Sequence, residues 1–152
     1  MTEAETIALL KEEYFKLQDI VESFDERALQ IKGWSVTVSL VGMGAAITAH
    51  DLQPYQRATA LALASLAALC FWLIEWLWKS FQWTFFHRID AIEDAIKNGT
   101  VLALPPLQIR HSFHANLKKD LRANIRKATK PFIMLPHAGV ALFGVVLASQ
   151  YL

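Results

Sequence analysis

Between Ala58 and Trp78 the chain carries a single charge, Glu75. A run of that length and polarity matches the ~20 apolar residues that cross a bilayer as one helix. It narrows the fold to two options, a helix buried in a large soluble core or a membrane span. The chain has 152 residues, enough for one domain, and 54% of them are hydrophobic. Soluble domains hold roughly 45–50%. The excess is concentrated rather than spread, which points to spans. The N-terminus, MTEAETIALLKEEYF, is acidic and polar from the start, unlike a signal peptide. One cysteine, Cys70, sits inside the apolar run and cannot close an intrachain disulfide.

Two further stretches lack charge. Trp34 to Ala49 reads WSVTVSLVGMGAAITA. It is short for a span, and its Ser35, Thr37, Ser39, Gly42, Gly44 and Thr48 are small or hydroxylated. A lone lipid-facing helix would favour leucine and isoleucine. These residues instead suit close helix packing or the lining of a pore. The C-terminal stretch, Phe132 to Leu152, contains Pro136, Gly139 and Gly144.

The rest of the chain reads as helix. Thr2 and Glu5 have capping-box spacing. Leu10, Tyr14, Leu17, Val21, Phe24, Ala28 and Ile31 recur at three and four, one face of an amphipathic helix. Gly33 is expected to break or bend it. After the central run, Phe81, Phe85, Ile89, Ile92 and Ile96 continue a helical stripe to Asn98-Gly99, a stop signal. Unbroken, residues 58–98 would extend ~60 Å at 1.5 Å per residue. The aromatic cluster from Phe71 to Phe86 fits a membrane interface. Thr100 to Leu107, with Pro105-Pro106, reads as a linker.

From residue 108 to 130 the pattern predicts a basic helix. Arg110, His114, Lys118, Arg122, Arg126 and Lys130 stand four apart, a cationic ridge thickened by His111, Lys119 and Lys127. Beside it runs an apolar line of Ile109, Phe113, Leu117, Leu121 and Ile125. Asp120 is the only acid from 107 to 130. A ridge of this kind is a solvated face, an anchor for anionic lipid headgroups, or a binder of nucleotide or single-stranded nucleic acid.

The expected fold is all-α. A cytoplasmic amphipathic helix (1–32) precedes a transmembrane hairpin (33–80). A cytoplasmic helical region (81–130) follows, then a third span (131–152). Residues 1–32 carry four Lys/Arg and 79–130 carry ten, whereas the loop at 50–57 has only Arg57. The positive-inside rule therefore puts the N-terminus in the cytoplasm and the C-terminus outside.

No phosphate-binding, dinucleotide or nucleophile-elbow motif is present. His111 and His114 lack a Cys or an acid pair nearby to complete a metal site. No enzyme, metal or cofactor is expected. Glu75 stands apart, because a charge in a span is costly unless paired or wet. Either Lys79, four residues on, pairs with it near the interface, or it serves a vestibule or subunit contact.

In layout, the chain resembles the small multi-span membrane effectors of bacterial nucleotide-signalled anti-phage defence. The acidic helix, the span hairpin and the basic helix leading into a third span are most similar to the channel effector of Hailong-type systems. That resemblance implies a homotetramer in the bacterial inner membrane. It also implies a partner nucleotidyltransferase that makes an oligodeoxyadenylate, and a channel held closed by that DNA. The DNA would then bind the ridge from Arg110 to Lys130, and the small-residue first span would line the pore. The expected function is thus a ligand-gated ion-permeable effector. The alternative is a non-conducting scaffold that binds anionic lipid.

Overall fold

A computed structural model describes residues 2–152. It is all-helical, with no strand among the described residues. Four α-helices carry the fold: α1 (Glu3–Thr48), α2 (Pro54–Lys97), α3 (Ile109–Ala123) and α4 (Pro131–Ala148). Three are long and apolar enough to cross a membrane: α1, α2, and α4 with its 3-10 extension to Tyr151.

The helix ends follow local chemistry. The Thr2 backbone N–H donates to Glu5 Oε2 (2.8 Å) and the Glu5 N–H to Thr2 Oγ1 (3.3 Å), the reciprocal capping box. At the end of α2, Gly99 adopts φ +64°, which glycine tolerates without strain. The Thr100 N–H then reaches Ala95 O (2.9 Å) and the Gly99 N–H reaches Ile96 O (3.3 Å), the paired bonds of a Schellman stop. Pro131 opens α4, where its missing N–H costs nothing.

Two expectations are corrected. Gly33 does not interrupt α1, which runs unbroken for 46 residues. A single glycine costs a helix only ~1 kcal/mol, less than tertiary packing restores. The basic helix ends at Ala123 rather than Lys130, and residues Asn124–Thr129 form a 3-10 stretch. Pro131 forces Lys130 into extended backbone (φ −59°, ψ 135°), so the chain must leave the α conformation before it.

The chain divides into two compact units. The first comprises Met1–Glu26 and Trp78–Ile125. Its core is Leu10, Leu17, Val21, Ile89, Ile92 and Val101, with Tyr14, Phe85, Leu104 and Ile109 packed on it. Phe24 stacks on Trp78 (ring centroids 4.8 Å apart), and Phe85 on Phe113 at the same distance. A buried ion pair ties the linker down. Arg88 makes a two-pronged contact with Glu13, Nε and Nη2 each 2.9 Å from a carboxylate oxygen. Arg88 also donates to Pro105 O (2.8 Å). The Leu107 and Gln108 N–H groups donate to Glu13 at 2.7 and 3.1 Å. Leu107 sits at φ +61°, a costly conformation for a branched side chain, and the Glu13 bonds hold it there.

The second unit comprises Arg27–Leu77 and Arg126–Leu152. Its core combines Met43 and Leu61 with the small side chains of Ala46, Ala64 and Ala148. A methyl added at Gly144 would collide with Ser65 Oγ and Met43 Cε, so glycine there sets the close approach of α4. Trp72 donates its indole N–H to Ala128 O (3.0 Å). Arg57 donates to Ala49 O (2.9 Å) and lies 5.1 Å from the Tyr151 ring centre. The unit is inverted relative to a water-soluble core. Leucine, valine and phenylalanine lie exposed, among them Val41, Leu63, Leu66, Leu142 and Phe143. Serines, a glutamate and a histidine are buried.

Truncating Glu13 to alanine strands the Arg88 guanidinium and two backbone donors. It is expected to cost about 3–5 kcal/mol, read as a lowered thermal unfolding midpoint in detergent. Glu13→Gln should cost less, because its amide oxygen still accepts.

Candidate functional site

Two places concentrate chemistry. The first is the solvent face of α3. Its apolar side docks on the first unit through Ile109 and through Phe113, which contacts Phe81 and Phe85. That docking leaves Arg110, His111, His114, Lys118, Lys119 and Arg122 exposed. The one acid of the helix, Asp120, turns inward. Its Oδ1 lies 2.9 Å from His87 Nε2, and Asp120 is only 7% exposed. Among the described residues none of Arg110, Lys118, Lys119, Arg122 and Arg126 forms an ion pair. Lys118, Lys119 and Arg122 line an open depression with Ala123. The ridge is an α-helical line only through Arg122. Arg126 and Lys127 belong to the 3-10 stretch and Lys130 caps α4, so the four-residue spacing no longer puts them on the same face. Ile125 is exposed too, outside the apolar line predicted for it.

The second place is buried in the second unit. Glu75, fully enclosed, sits between two partners. Lys32 Nζ is 3.0 Å from its Oε1. His137 Nε2 is 2.8 Å from its Oε2. The other ring nitrogen of His137, Nδ1, is 2.7 Å from Ser35 Oγ. Lys32 and Ser35 are on α1, Glu75 on α2 and His137 on α4, so each of the three apolar helices supplies part of one polar cluster. Lys79 does not pair with Glu75 but engages Asp25 and Gln82. The four-residue spacing that permits a Glu75–Lys79 pair is outweighed by partners on other helices. Ser35 is drawn into the cluster because residues 32, 35 and 39 fall on one α1 face.

The small residues of α1 separate into two faces. Ser35 and Ser39 are fully buried within the unit and cannot line a path outside it. Gly42 is half-buried, and a methyl added there would lie 3.4 Å from Ala64 Cβ. Thr37, Gly44 and Thr48 are exposed, and the Thr48 hydroxyl donates to Gly44 O (2.9 Å). Pattern reading noticed Glu75 but not His137 or Lys32. The available signal was His137 itself, the one ionisable side chain of α4, in register with the buried Ile133 and Ala141.

Outside these places, the Tyr14 hydroxyl donates to Glu93 Oε1 (2.9 Å), and this bond to a carboxylate holds the phenol above its ordinary pKa. No group of His, Cys, Asp and Glu able to hold a metal occurs among the described residues. No family model, curated protein or solved structure matches the chain.

The polar cluster predicts an asymmetric response to truncation. Glu75→Ala leaves a buried histidine and an unpaired ammonium, and should cost about 3–5 kcal/mol. Lys32→Ala should cost less, because a side chain that is 21% exposed already reaches toward solvent. Thermal unfolding of both variants in one detergent checks the order.

Proposed function

We propose that this chain is a non-enzymatic membrane effector with three spans, assembled as a homo-oligomer, whose ion permeability is set by an anionic ligand on α3. The ligand class is a nucleotide or single-stranded oligonucleotide. The observation that carries this reading is the inward turn of Asp120, which leaves a solvent face of α3 with cations and no acid. Successive Lys and Arg on such a face neutralise successive phosphates, and His111 and His114 offer ring planes to bases. The apolar exterior of the second unit supports the spans.

One chain encloses no pore, so conduction requires several copies. With Ser35 and Ser39 buried, the α1 face of Thr37, Gly44 and Thr48 is the one available to line a path between copies. Both α1 and α2 contribute residues to both units, a covalent route from ligand to spans. Ligand that bridges the α3 helices of neighbouring copies would favour one of two packings of those spans. The Lys/Arg distribution supports a cytoplasmic N-terminus and an external C-terminus. The resemblance of the sequence layout to Hailong-type effectors supports a tetramer in the bacterial inner membrane. It also supports an anti-phage role and a nucleotidyltransferase as the source of the oligonucleotide.

A second reading, a non-conducting scaffold that binds acidic lipid, draws on the start of α4. There Lys130 Nζ lies 5.7 Å from the ring centre of the exposed Phe132, a pairing suited to a membrane interface.

Binding in neutral-lipid nanodiscs separates the two readings. Single-stranded DNA should bind with affinity falling on a log–log salt plot by ~0.7 per phosphate contact. Changing Lys118, Lys119 and Arg122 together to Gln should flatten that slope by about 2. Absence of DNA binding at low salt, with acidic lipid retained, would favour the scaffold. For the spans, Leu at Gly44 or Thr48 should reduce liposome ion flux without preventing assembly. Unchanged flux would move the pore elsewhere. An added cysteine at Gln53 should react with an impermeant thiol reagent from outside, and one at Asn98 only after the membrane is broken.

A further inference from the structure

We propose that His137 is a proton-binding site, and that its proton and the Lys32 ammonium compete for the Glu75 carboxylate. The cluster would then be a proton-operated latch between α1 and α2.

Hydrogen positions follow from the partners. With a neutral imidazole, Nε2–H donates to Glu75 Oε2 and Nδ1 accepts the Ser35 hydroxyl. Each proton has one place, and Lys32 balances the charge of Glu75. This is the charge-balanced state of the cluster.

One added proton changes the balance. Both ring nitrogens then donate, so the Ser35 hydroxyl must turn its own proton elsewhere, to the carbonyl of Ile31 one turn back on its helix. Two cations now face one carboxylate. The groups facing His137 from the packed helices are Ser35 and Lys32 on α1 and Glu75 on α2; α4 brings no other ionisable side chain. Arg27, on the same stretch of α1, is exposed to solvent. The acid Asp25, farther back along α1, is already paired with Lys79. A surplus positive charge in an apolar interior is expensive, so one cation has to leave. His137 cannot, being fully enclosed on a short side chain. Lys32 can, because it is already 21% exposed and carries its charge on a flexible four-carbon stem. Proton uptake at His137 thus exchanges Lys32 for an imidazolium on Glu75. The bond lost is the Lys32–Glu75 tie between α1 and α2, at the end of the α1 segment that carries Thr37, Gly44 and Thr48.

The test reads the imidazole directly. The full-length protein, labelled with 15N-histidine, is placed in neutral-lipid nanodiscs and titrated from about pH 8 to about pH 5. The His137 signal is identified by its loss in His137→Gln. The expected wild-type result is an Nε2–H tautomer at high pH that converts to imidazolium within this range. A His137 that stays neutral throughout overturns the proton site. Lys32→Met removes the competitor and should move the conversion to higher pH. An unchanged midpoint, or one moved lower, overturns the competition. Ser35→Ala removes only a hydroxyl and should relax the tautomer preference at high pH, while an unaltered preference would remove Ser35 from the scheme. None of these readings requires ion flux or bound oligonucleotide, so they stand or fall apart from the channel proposal.

Discussion

The carboxylate of Glu75 is the constraint around which the second unit is organised. An enclosed charge among apolar helices is tolerated only when it is compensated, and here His137 bonds one oxygen of Glu75 while the Lys32 ammonium stands beside the other. Because the donors come from two other helices, satisfying Glu75 fixes rotation and height for all three. The apolar contacts of this unit cannot do that alone. Alanine, glycine and methionine pack closely but select among registers weakly, and the exterior leucines are indifferent to rotation. A polar cluster has one good geometry and many bad ones, and each bad one leaves a buried donor or acceptor unmatched.

The first unit uses a buried ion pair differently. Glu13 and Arg88 join α1 to α2, and the remaining hydrogen-bonding capacity of both is spent on the backbone of the linker. The linker in turn delivers the first residue of α3. A left-handed leucine at 107 is the cost of that delivery. Asp120, turned toward His87, then completes the separation of charge: acid inward, cations outward. The basic face is thus a product of where α3 is held as much as of its composition.

These arrangements give the two units opposite surfaces. The first presents charge to solvent over an apolar core. The second presents apolar side chains over an interior that contains a glutamate, a histidine and serines, with Lys32 reaching in from its edge. A helix such as α2 serves both because its sequence changes character along its length. It passes from an Ala/Leu run, through the aromatic cluster, to isoleucines interleaved with Asp90, Glu93 and Asp94.

Local features of this chain were legible in the sequence because they are decided by neighbours within four residues. The capping box at Thr2, the glycine stop at Gly99, the buried stripe from Leu10 to Ala28 and the three apolar helices all follow from spacing and propensity. Tertiary structure decided what spacing leaves open. Gly33 reads as a break, yet packing carries α1 through it. The ridge reads as one helix to Lys130, yet α3 ends at Ala123 and a 3-10 stretch carries the chain on to Thr129. Glu75 has a partner within reach in Lys79, yet it is met by Lys32 and His137, 43 and 62 residues away. The four-residue rule names which groups can meet on one helix. Which groups do meet, when several helices offer donors to one carboxylate, depends on how those helices are rotated. That rotation is set by the whole bundle at once.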